Sequence, residues 1–215
     1  MTRITTQPSR SRLLMRLALR SARRKTAKMT GRETARMLEP LEAYAHAPGL
    51  LMGYGALELA TARADRVEHR LKELTALKAA TIVECEYCID IGSTIGRRSG
   101  ITDEQLLALP RHRESGLFGE VDMLALDLAD AMTRTPVRVP DELYDALREH
   151  FDEDQLVELI ANIALENMRS RFNAAFEIGA AGFSEGLVCA IPDAAGNGAI
   201  GEPANTPGEP LPASA

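Results

Sequence analysis

Apolar residues recur every three or four positions along most of this 215-residue chain, and this period constrains the fold more than any other feature of the sequence. It is clearest over residues 66–83, where the apolar positions are Val67, Leu71, Leu74, Leu77, Ala80 and Ile82. Aromatic residues make up 4% of the chain and Trp is absent, so the core must consist mainly of small and aliphatic side chains. Ala, Leu and Met favour helix, and no segment alternates β-branched and polar residues as a half-buried strand would. The sequence therefore predicts an all-α fold.

Turn and capping residues divide this pattern into separate helices. Thr102 with Gln105, and Asp152 with Gln155, have the spacing of a capping box at a helix start. Pro48 is suited to the first turn of another helix. The predicted helices lie at about 10–28 and 32–44, from 48 onward, at 66–83, from the cysteine pair described below to about 98, from 102 to 110, at 120–133, from 140 onward and from 153 past 176. The polar stretch 111–120 is predicted to be a loop.

The chain is expected to form a single domain with two tails. Residues 37–190 would hold the helical domain, residues 1–36 a basic N-terminal arm, and residues 191–215, which are rich in Pro, Gly and Ala, a disordered tail. The formal net charge of −6 hides an asymmetry, because the arm has 11 Lys and Arg against the single Glu33 and the rest has 14 against 30 acidic residues. Since the arm lacks aromatic residues that stack on bases, we expect it to pack on the acidic body or on a neighbouring subunit, and not to bind nucleic acid.

No apolar run approaches the roughly 18 residues that a membrane-spanning helix needs, so the sequence predicts no integral membrane association. The basic arm lacks a continuous apolar segment that ends at a small-residue cleavage site, and it does not resemble a signal peptide. Three cysteines are too few to stabilise a secreted domain of this length through disulfides. A cytoplasmic location is therefore expected, and in that compartment a close cysteine pair is more often catalytic or metal-binding than structural.

Cys85 and Cys88 form the one closely spaced cysteine pair in the sequence. At this spacing two thiols lie on one face of a helical turn, close enough to form a disulfide. At a helix start, the partial positive charge of the N-terminus favours thiolate over thiol. The pair therefore indicates a thiol-based redox function. Cys189 lies far along the chain and is expected to be a small buried apolar residue.

Glu73 is a carboxylate on the apolar side of the helix at 66–83, in line with Leu77. A carboxylate in that position needs a cationic partner or a raised pKa, and the pattern alone leaves open both a salt bridge and a catalytic role. Glu73 precedes Cys85 by twelve residues, which is about 18 Å along a straight helix, so the backbone must turn between them if the two are to meet. His46 precedes a Pro-Gly turn and is expected to cap or pack.

Six segments together carry a resemblance to a known family. In chain order they are Tyr44–Leu51, Arg70–Leu74, Cys85–Cys88, Gly100–Thr102, Ile160–Ala164 and Arg171–Asn173. Over residues 43–180 the chain resembles the carboxymuconolactone decarboxylase family, and within it the AhpD-like alkylhydroperoxidases. The order and the spacing of the segments make this match specific, whereas the Cys-x-x-Cys pair alone would be weak.

The resemblance implies an all-α fold that assembles as trimers or hexamers, and a thiol-dependent hydroperoxide reductase that needs no cofactor. Cys88 matches the peroxidatic thiol, which becomes a sulfenic acid and is then captured as the Cys85–Cys88 disulfide. Cys85 matches the proton-donating and resolving thiol, and Glu73 matches the carboxylate of the proton relay. A dithiol, thioredoxin-like or lipoyl reductant would then restore the two thiols.

One position departs from the family pattern. The family has a histidine four residues after the second cysteine, and this chain has Gly92 there, so the imidazole base is missing. If the relay is merely weakened, Gly92→His is predicted to raise turnover. Two other functions stay open: a carboxymuconolactone-type decarboxylase, which would not need the cysteines, and a non-enzymatic helical oligomer or redox sensor. No metal site is expected, because zinc would need two further ligands and the chain has no second pair.

Overall fold

The computed structural model describes residues 2–4, 13–190 and 192 of the chain. Within these residues the structure consists of helices and loops, without a β-strand. The α-helices are α1 (Leu13–Thr30), α2 (Glu39–Tyr44), α3 (Pro48–Arg63), α4 (His69–Val83), α5 (Glu86–Arg98), α6 (Asp103–Ala108), α7 (His112–Ser115), α8 (Glu120–Thr133), α9 (Asp141–His150) and α10 (Glu153–Ala175). A short 3-10 helix, Leu109–Arg111, joins α6 to α7. The predicted all-α fold is confirmed.

Helix α4 lies at the centre of the fold, with α5, α8 and α10 packed around it. The apolar positions that its sequence pattern assigns to the core are buried: Leu71, Leu74, Leu77 and Ala80. Burying one leucine side chain contributes about 1.5–3 kcal/mol, so this face holds the four helices together. Because neighbours surround α4, Lys72 is buried as well, and its Nζ donates to Glu158 Oε1 of α10 at 2.5 Å.

The capping residues set the helix starts as predicted. Thr102 and Gln105 form a complete capping box at α6, and Asp152 and Gln155 form another at α10. Each satisfies backbone groups that the first helical turn leaves without a partner. Pro48 occupies the first turn of α3, and α8 has the predicted bounds.

Two predicted segments are wrong, beyond differences of up to three residues at other helix ends. The pattern predicts a second helix from Arg32, but α2 begins only at Glu39, because the intervening chain turns to place Met37 and Leu38 in the core. The stretch 111–120 is predicted to be a loop, but it contains α7.

Helix α7 is held against the domain through its buried first residue. The His112 side chain is buried, and its Nε2 lies 2.8 Å from Asp127 Oδ1 of α8. This contact holds one turn of helix against α8. The polar composition of the stretch does not predict the contact.

The described part of the N-terminal arm packs on the helical domain. Helix α1 lies against α5, and Leu19 contacts the core. Arg3 forms an ion pair with Glu177, just beyond the end of α10. These contacts support the predicted packing of the arm on the acidic body. The disorder predicted for residues 191–215 concerns residues that lie outside the described part of the chain, apart from Pro192.

Helix α3 is attached to the fold by one edge. It contacts α2 and α10 through a stripe of half-buried residues: Leu51, Tyr54, Glu58 and Thr61. Its other apolar residues face away from the domain: Leu50, Met52, Leu57 and Leu59. Neither α3 nor any other helix in the described residues is long and apolar enough to cross a membrane.

Candidate functional site

The two cysteines of the predicted dithiol lie at a sharp turn between α4 and α5. Helix α4 ends at Val83 because Glu84 adopts a left-handed conformation with φ of 59°, which is uncommon for a residue other than glycine. Cys85 then caps α5, and its sulfur accepts a hydrogen bond from the Cys88 backbone N–H at 3.2 Å. The Cα atoms of Cys85 and Cys88 are 5.3 Å apart, and their sulfurs lie at disulfide distance.

An asparagine from α10 completes the surroundings of the dithiol. Asn173 Nδ2 lies 3.4 Å from Cys88 Sγ and 3.7 Å from Cys85 Sγ, so one amide can donate to either sulfur. The amide is buried, and its Oδ1 has no hydrogen-bond partner among the described residues. Asn173 belongs to one of the segments that carry the family resemblance, but its position against the sulfurs is evident only from the structure.

A groove of about 890 Å³ opens beside the dithiol. Cys85 lines this groove, between the turn at Glu84 and the segment Ile178–Ala180, whereas Cys88 is not among the lining residues. The rim carries more negative than positive charge: its charged side chains are Arg36, Glu39, Glu84, Glu86 and Glu177. Both cysteines are nevertheless buried, Cys85 at 2% and Cys88 at 7% exposure, so the groove lies beside the dithiol without exposing it.

The structure places Glu73 away from the groove, beside a buried ionic cluster. Burial raises the pKa of Glu73 to about 7; the positive charge of Arg169 lowers it and the negative charge of Glu166 raises it further. The Glu73 side chain retains 22% exposure, and its Oε1 lies 3.8 Å from His69 Nδ1. Glu73 therefore exchanges a proton near neutral pH, but the structure does not bring it into contact with the sulfurs.

The ionic cluster connects α3 with α10 and was not found from the sequence. Arg169 donates two hydrogen bonds of 2.7 Å to Glu58 on α3 and a third of 3.1 Å to Glu166. Burial opposes ionisation of Glu58, but the Arg169 hydrogen bonds outweigh it and hold the pKa of Glu58 below its usual value. For Glu166 burial prevails, and its pKa is raised although Arg169 and Ser170 both donate to it.

A sequence signal for this cluster does exist on α10. Polar residues recur at helical spacing among the buried positions of that helix: Glu158, Asn162, Glu166 and Asn173. Such a row, on the side of a helix that packs on α4, indicates polar partners in the neighbouring elements. The partners themselves lie far away in the sequence, so the pattern alone could not name them.

Gly92, which replaces the family histidine, packs directly against α4. A Cβ at this position would lie 2.9 Å from Leu77 Cδ2 and 3.3 Å from Leu77 Cγ. The glycine thus lets α5 approach α4 closely, and a histidine there would have to displace Leu77. Gly92→His alone would perturb the core, so the gain in turnover predicted from the resemblance is not expected for the single substitution.

The polar neighbours of Gly92 are occupied elsewhere. The Tyr87 hydroxyl donates to the Met37 carbonyl at 2.6 Å, and the Ser93 hydroxyl accepts from the Ala190 N–H at 2.9 Å. The Asp90 carboxylate accepts backbone N–H groups of a loop that follows α10. None of the three therefore supplies the missing base.

The remaining candidate residues lie outside the dithiol site. The sulfur of Cys189 is 3.4 Å from Ser93 Oγ and 3.7 Å from the Ile89 carbonyl oxygen. Cys189 is half-buried, not fully buried as its predicted apolar role would suggest. His46 is exposed just before α3.

The chain matches a known family over the helices that carry Glu73 and the two cysteines. Residues 46–131 match the model of the carboxymuconolactone decarboxylase family. The protein YnjA of Escherichia coli strain K12, which is uncharacterized, is 40% identical over 124 residues, and the match spans 57% of this chain and just under two thirds, 65%, of YnjA. The uncharacterized protein YdfG of Bacillus subtilis strain 168 is 32% identical over 110 residues, which are 51% of this chain and 75% of YdfG.

Solved structures share the fold. A protein of unknown function from Agrobacterium tumefaciens, ATU0492, a candidate antioxidant defence protein AhpD, superposes with a TM-score of 0.61 and 25% identity over 64% of this chain and 94% of its own. The debrominase Bmp8, in complex with 2,3,4-tribromopyrrole, superposes with a TM-score of 0.67 and 21% identity over 82% of this chain and 92% of its own. The match to the family model and the likeness to ATU0492 support a family in the peroxidase-related or decarboxylase-like range. On its sequence and its fold, the chain belongs to the carboxymuconolactone decarboxylase family.

Proposed function

We propose that this protein is a thiol-dependent hydroperoxide reductase that uses Cys85 and Cys88 as its redox dithiol. The observation that carries the proposal is a cysteine pair at disulfide distance, at the start of a helix and at the edge of a groove. A helix N-terminus stabilises a thiolate, and the thiolate is the form that attacks an O–O bond.

The reaction balances on this dithiol without a cofactor. One thiolate attacks the terminal oxygen of the hydroperoxide, the O–O bond breaks, and the alcohol leaves with a proton. The sulfenic acid that forms is attacked by the second thiol, which releases water and closes the disulfide. A dithiol, thioredoxin-like or lipoyl reductant then restores both thiols by exchange.

Glu73 fits the role of a proton carrier for this cycle, because its pKa of about 7 lets it take up or release a proton at neutral pH. The two charges that most affect its pKa, Arg169 and Glu166, lie one and two turns of α10 before Asn173, which contacts both sulfurs.

Thiol titration tests the proposed function. In a Cys189→Ser background, which removes the third thiol, one equivalent of cumene hydroperoxide should consume both remaining thiols, and dithiothreitol should restore them. The matched Cys88→Ser protein should lose the ability to form the intramolecular disulfide and should consume peroxide more slowly over repeated turnovers. If both thiols persist and the peroxide is not consumed, the proposed function is wrong, and turnover of a carboxymuconolactone would then be the assay to run.

Reductive dehalogenation is a second candidate, favoured by the size of the groove. Its volume of about 890 Å³ lies in the range of small-molecule binding sites, roughly 300–1,000 Å³, and has room for an aromatic ring beside Cys85. A dithiol can replace carbon-bound bromide by hydrogen as it becomes a disulfide and releases HBr. Bromide release from 2,3,4-tribromopyrrole by the reduced protein, measured beside peroxide consumption, separates the two candidates.

Replacing Glu73 with glutamine should flatten the pH dependence of peroxide turnover near neutrality. Glutamine cannot exchange a proton, and loss of a general acid or base typically costs about 10²–10⁴-fold in rate. We expect turnover to fall at least about tenfold at pH 7, as measured by peroxide consumption between pH 5 and 9. An unchanged pH profile would remove Glu73 from the mechanism.

The same substitution should stabilise the fold at high pH. The pKa of Glu73 is about 7 in the folded state against an ordinary value of 4.5, so the folded protein binds the proton more tightly and loses stability as the pH rises between these values. The Glu73→Gln protein does not undergo this loss. Its free energy of unfolding, relative to that of wild type, should therefore increase by about 3 kcal/mol from pH 4.5 to pH 8. Urea unfolding measures it, with the exposed Glu149→Gln as the matched control.

We also propose that the exposed face of α3 packs against a second copy of this chain. Met52 is 76% exposed and Leu50 is 64% exposed, and a Cβ at Gly53 or Gly55 would meet no atom within 4 Å, so another helix could approach closely. The family resemblance implies trimers or hexamers. Met52→Glu should therefore yield monomers in sedimentation experiments, and an assembly of unchanged size would place the interface elsewhere.

A further inference from the structure

Both sulfurs of the dithiol are shielded from water, since Cys85 and Cys88 are buried. Burial disfavours the charged form of an ionisable group, so a thiolate at this site cannot rely on water for its hydrogen bonds. The protein itself must supply the donors. The groups that face the two sulfurs therefore decide how readily the reduced pair ionises.

Two donors face the sulfurs in the described part of the chain. The Cys88 backbone N–H lies 3.2 Å from Cys85 Sγ, and the Asn173 amide nitrogen lies 3.4 Å from Cys88 Sγ and 3.7 Å from Cys85 Sγ. We propose that Asn173 is a positioning residue that favours the reduced pair over the disulfide, in the form with one thiolate and one thiol. This inference rests on the proposed function, and it assigns one amide to both thiols without distinguishing their roles.

The backbone holds the Asn173 amide in place. Asn173 is buried near the end of α10, and its carbonyl oxygen accepts the N–H of Ile178 at 3.0 Å and that of Phe176 at 3.2 Å. These hydrogen bonds satisfy a carbonyl that the end of a helix leaves without an intrahelical partner. The amide thus sits on a fixed part of the chain, within reach of both sulfurs.

The amide of Asn173 matches the reduced pair better than the disulfide. An amide offers both a donor and an acceptor, whereas a disulfide offers weak acceptors and no donor. In the disulfide the buried Oδ1 has no partner among the described residues, which is costly. In a reduced pair with one proton, the thiolate can accept from Nδ2 and the remaining S–H can donate to Oδ1, so both atoms of the amide are satisfied.

This preference has a redox consequence. A dithiol reductant transfers two electrons and two protons to the disulfide and becomes a disulfide itself. Loss of one of these protons to water then leaves one thiolate beside one thiol. A hydrogen bond to a charged group is stronger than one to a neutral group, so the amide stabilises this reduced form more than the disulfide. A dithiol whose reduced form is stabilised is a stronger oxidant.

Replacing Asn173 with leucine tests the proposal, because leucine has a similar size and neither the donor nor the acceptor. In the Cys189→Ser background, proteins are equilibrated with dithiothreitol redox buffers at pH 7 and the disulfide fraction is measured by thiol counting. We expect the equilibrium of Asn173→Leu to move at least about tenfold towards the disulfide, a potential about 30 mV lower. Thiolate absorbance at 240 nm should rise with a midpoint at least about one pH unit higher, again a tenfold change.

Asn162→Leu is the matched control. Asn162 is a second buried asparagine of α10, and its amide donates to the Lys72 carbonyl at 2.9 Å. Its replacement should lower stability but should leave the potential and the thiolate midpoint unchanged. Equal changes in the two variants, or no change in Asn173→Leu, would overturn the proposal.

A second measurement needs no substitution at Asn173. In the reduced Cys189→Ser protein, the side-chain amide resonance of Asn173 should shift with the same pH midpoint as the thiolate absorbance. An Asn173 resonance that does not respond would overturn the proposal even if Asn173→Leu failed to fold. None of these measurements uses a peroxide. If the amide responds as expected and cumene hydroperoxide is left intact, the peroxidase proposal fails while Asn173 stands as the positioning residue of a redox dithiol.

Discussion

Replacing Arg169 with glutamine is expected to lower the free energy of unfolding by about 3–5 kcal/mol at pH 8, because removing one partner of a buried ion pair leaves an uncompensated charge. Arg169 binds Glu58 through two hydrogen bonds of 2.7 Å and Glu166 through one of 3.1 Å. Glutamine cannot replace the guanidinium fork, so both carboxylates would lose their cation. Urea or thermal unfolding measures the loss.

The loss should depend on pH in a defined direction. Without Arg169, the folded-state pKa of Glu58 rises from below its usual value, and that of Glu166, which is already raised, rises further. The folded protein then holds these protons more tightly than with Arg169, so it loses more stability as the pH increases. The deficit should therefore be smaller at pH 5 than at pH 8. A deficit that is equal at both values would show that lost packing, and not charge, is the cause.

Arg171→Gln is the matched control for this experiment. Arg171 lies on the same helix two residues later, and it is exposed, with hydrogen bonds to Asn167 and to the Thr133 carbonyl. Exposed polar contacts of this kind are worth about 0–1 kcal/mol. If Arg169→Gln costs no more than Arg171→Gln at pH 8, the cluster does not hold α3 to α10. Arg169→Lys should fall between the two, because lysine keeps the charge but cannot bind Glu58 through two parallel hydrogen bonds.

The fold was predictable where its signals are local. The period over residues 66–83 identifies the face of α4 that is buried, and the capping residues Thr102 and Asp152 mark the starts of α6 and α10. These signals operate within a few residues along the chain, so one sequence contains them completely. The start of α2 was missed because Met37 and Leu38 pack into the core before any helix begins.

The site was predictable only in part, because some of its contacts join residues that lie far apart in the sequence. The spacing of Cys85 and Cys88 identifies a possible disulfide, and the position of Glu73 on an apolar face indicates a shifted pKa. Other contacts of the site come from elsewhere in the chain. Asn173 lies 85 residues after Cys88, and Arg169 lies 111 residues after Glu58. Which residues meet across such separations depends on how the helices pack, and the periodicity of one sequence does not encode it.

Replacing Asp90 with asparagine is expected to lower the free energy of unfolding by about 2–4 kcal/mol, since each hydrogen bond to a charged group contributes about 1.5–3 kcal/mol and asparagine retains some of them. One carboxylate oxygen of Asp90 accepts the backbone N–H groups of residues 181–183 at 2.7–3.0 Å. The other accepts the N–H of Ser184 at 2.7 Å and its hydroxyl at 2.5 Å. In asparagine an NH₂ group replaces one of these oxygens, so a hydrogen-bond donor would face the donors of the loop.

The pH dependence of the Asp90 effect follows from the same hydrogen bonds. Burial opposes ionisation, but the side chain and the backbone of Ser184 and the N–H groups of Phe183 and Ala181 outweigh it and hold the pKa of Asp90 below its ordinary value of 3.8. A depressed pKa gives stability that is complete above the unfolded value and is lost as the pH falls through the folded one. The difference between wild type and Asp90→Asn should therefore be constant at neutral pH and shrink below about pH 4.

The Asp90→Asn substitution should also alter the groove beside the dithiol. The loop bound by Asp90 directly follows the segment Ile178–Ala180, which lines that groove. Phe183 is buried and packs edge-on against Tyr87 at 5.9 Å, so release of the loop would expose it. We expect Asp90→Asn to speed chymotrypsin cleavage after Phe183 and alkylation of reduced Cys85, which lines the same groove as Ile178–Ala180. Asp154→Asn, which alters an ion pair whose carboxylate is 69% exposed, should change neither rate. If Asp90→Asn is destabilised without faster labelling of Cys85, the loop stabilises the fold but does not control access to the thiol.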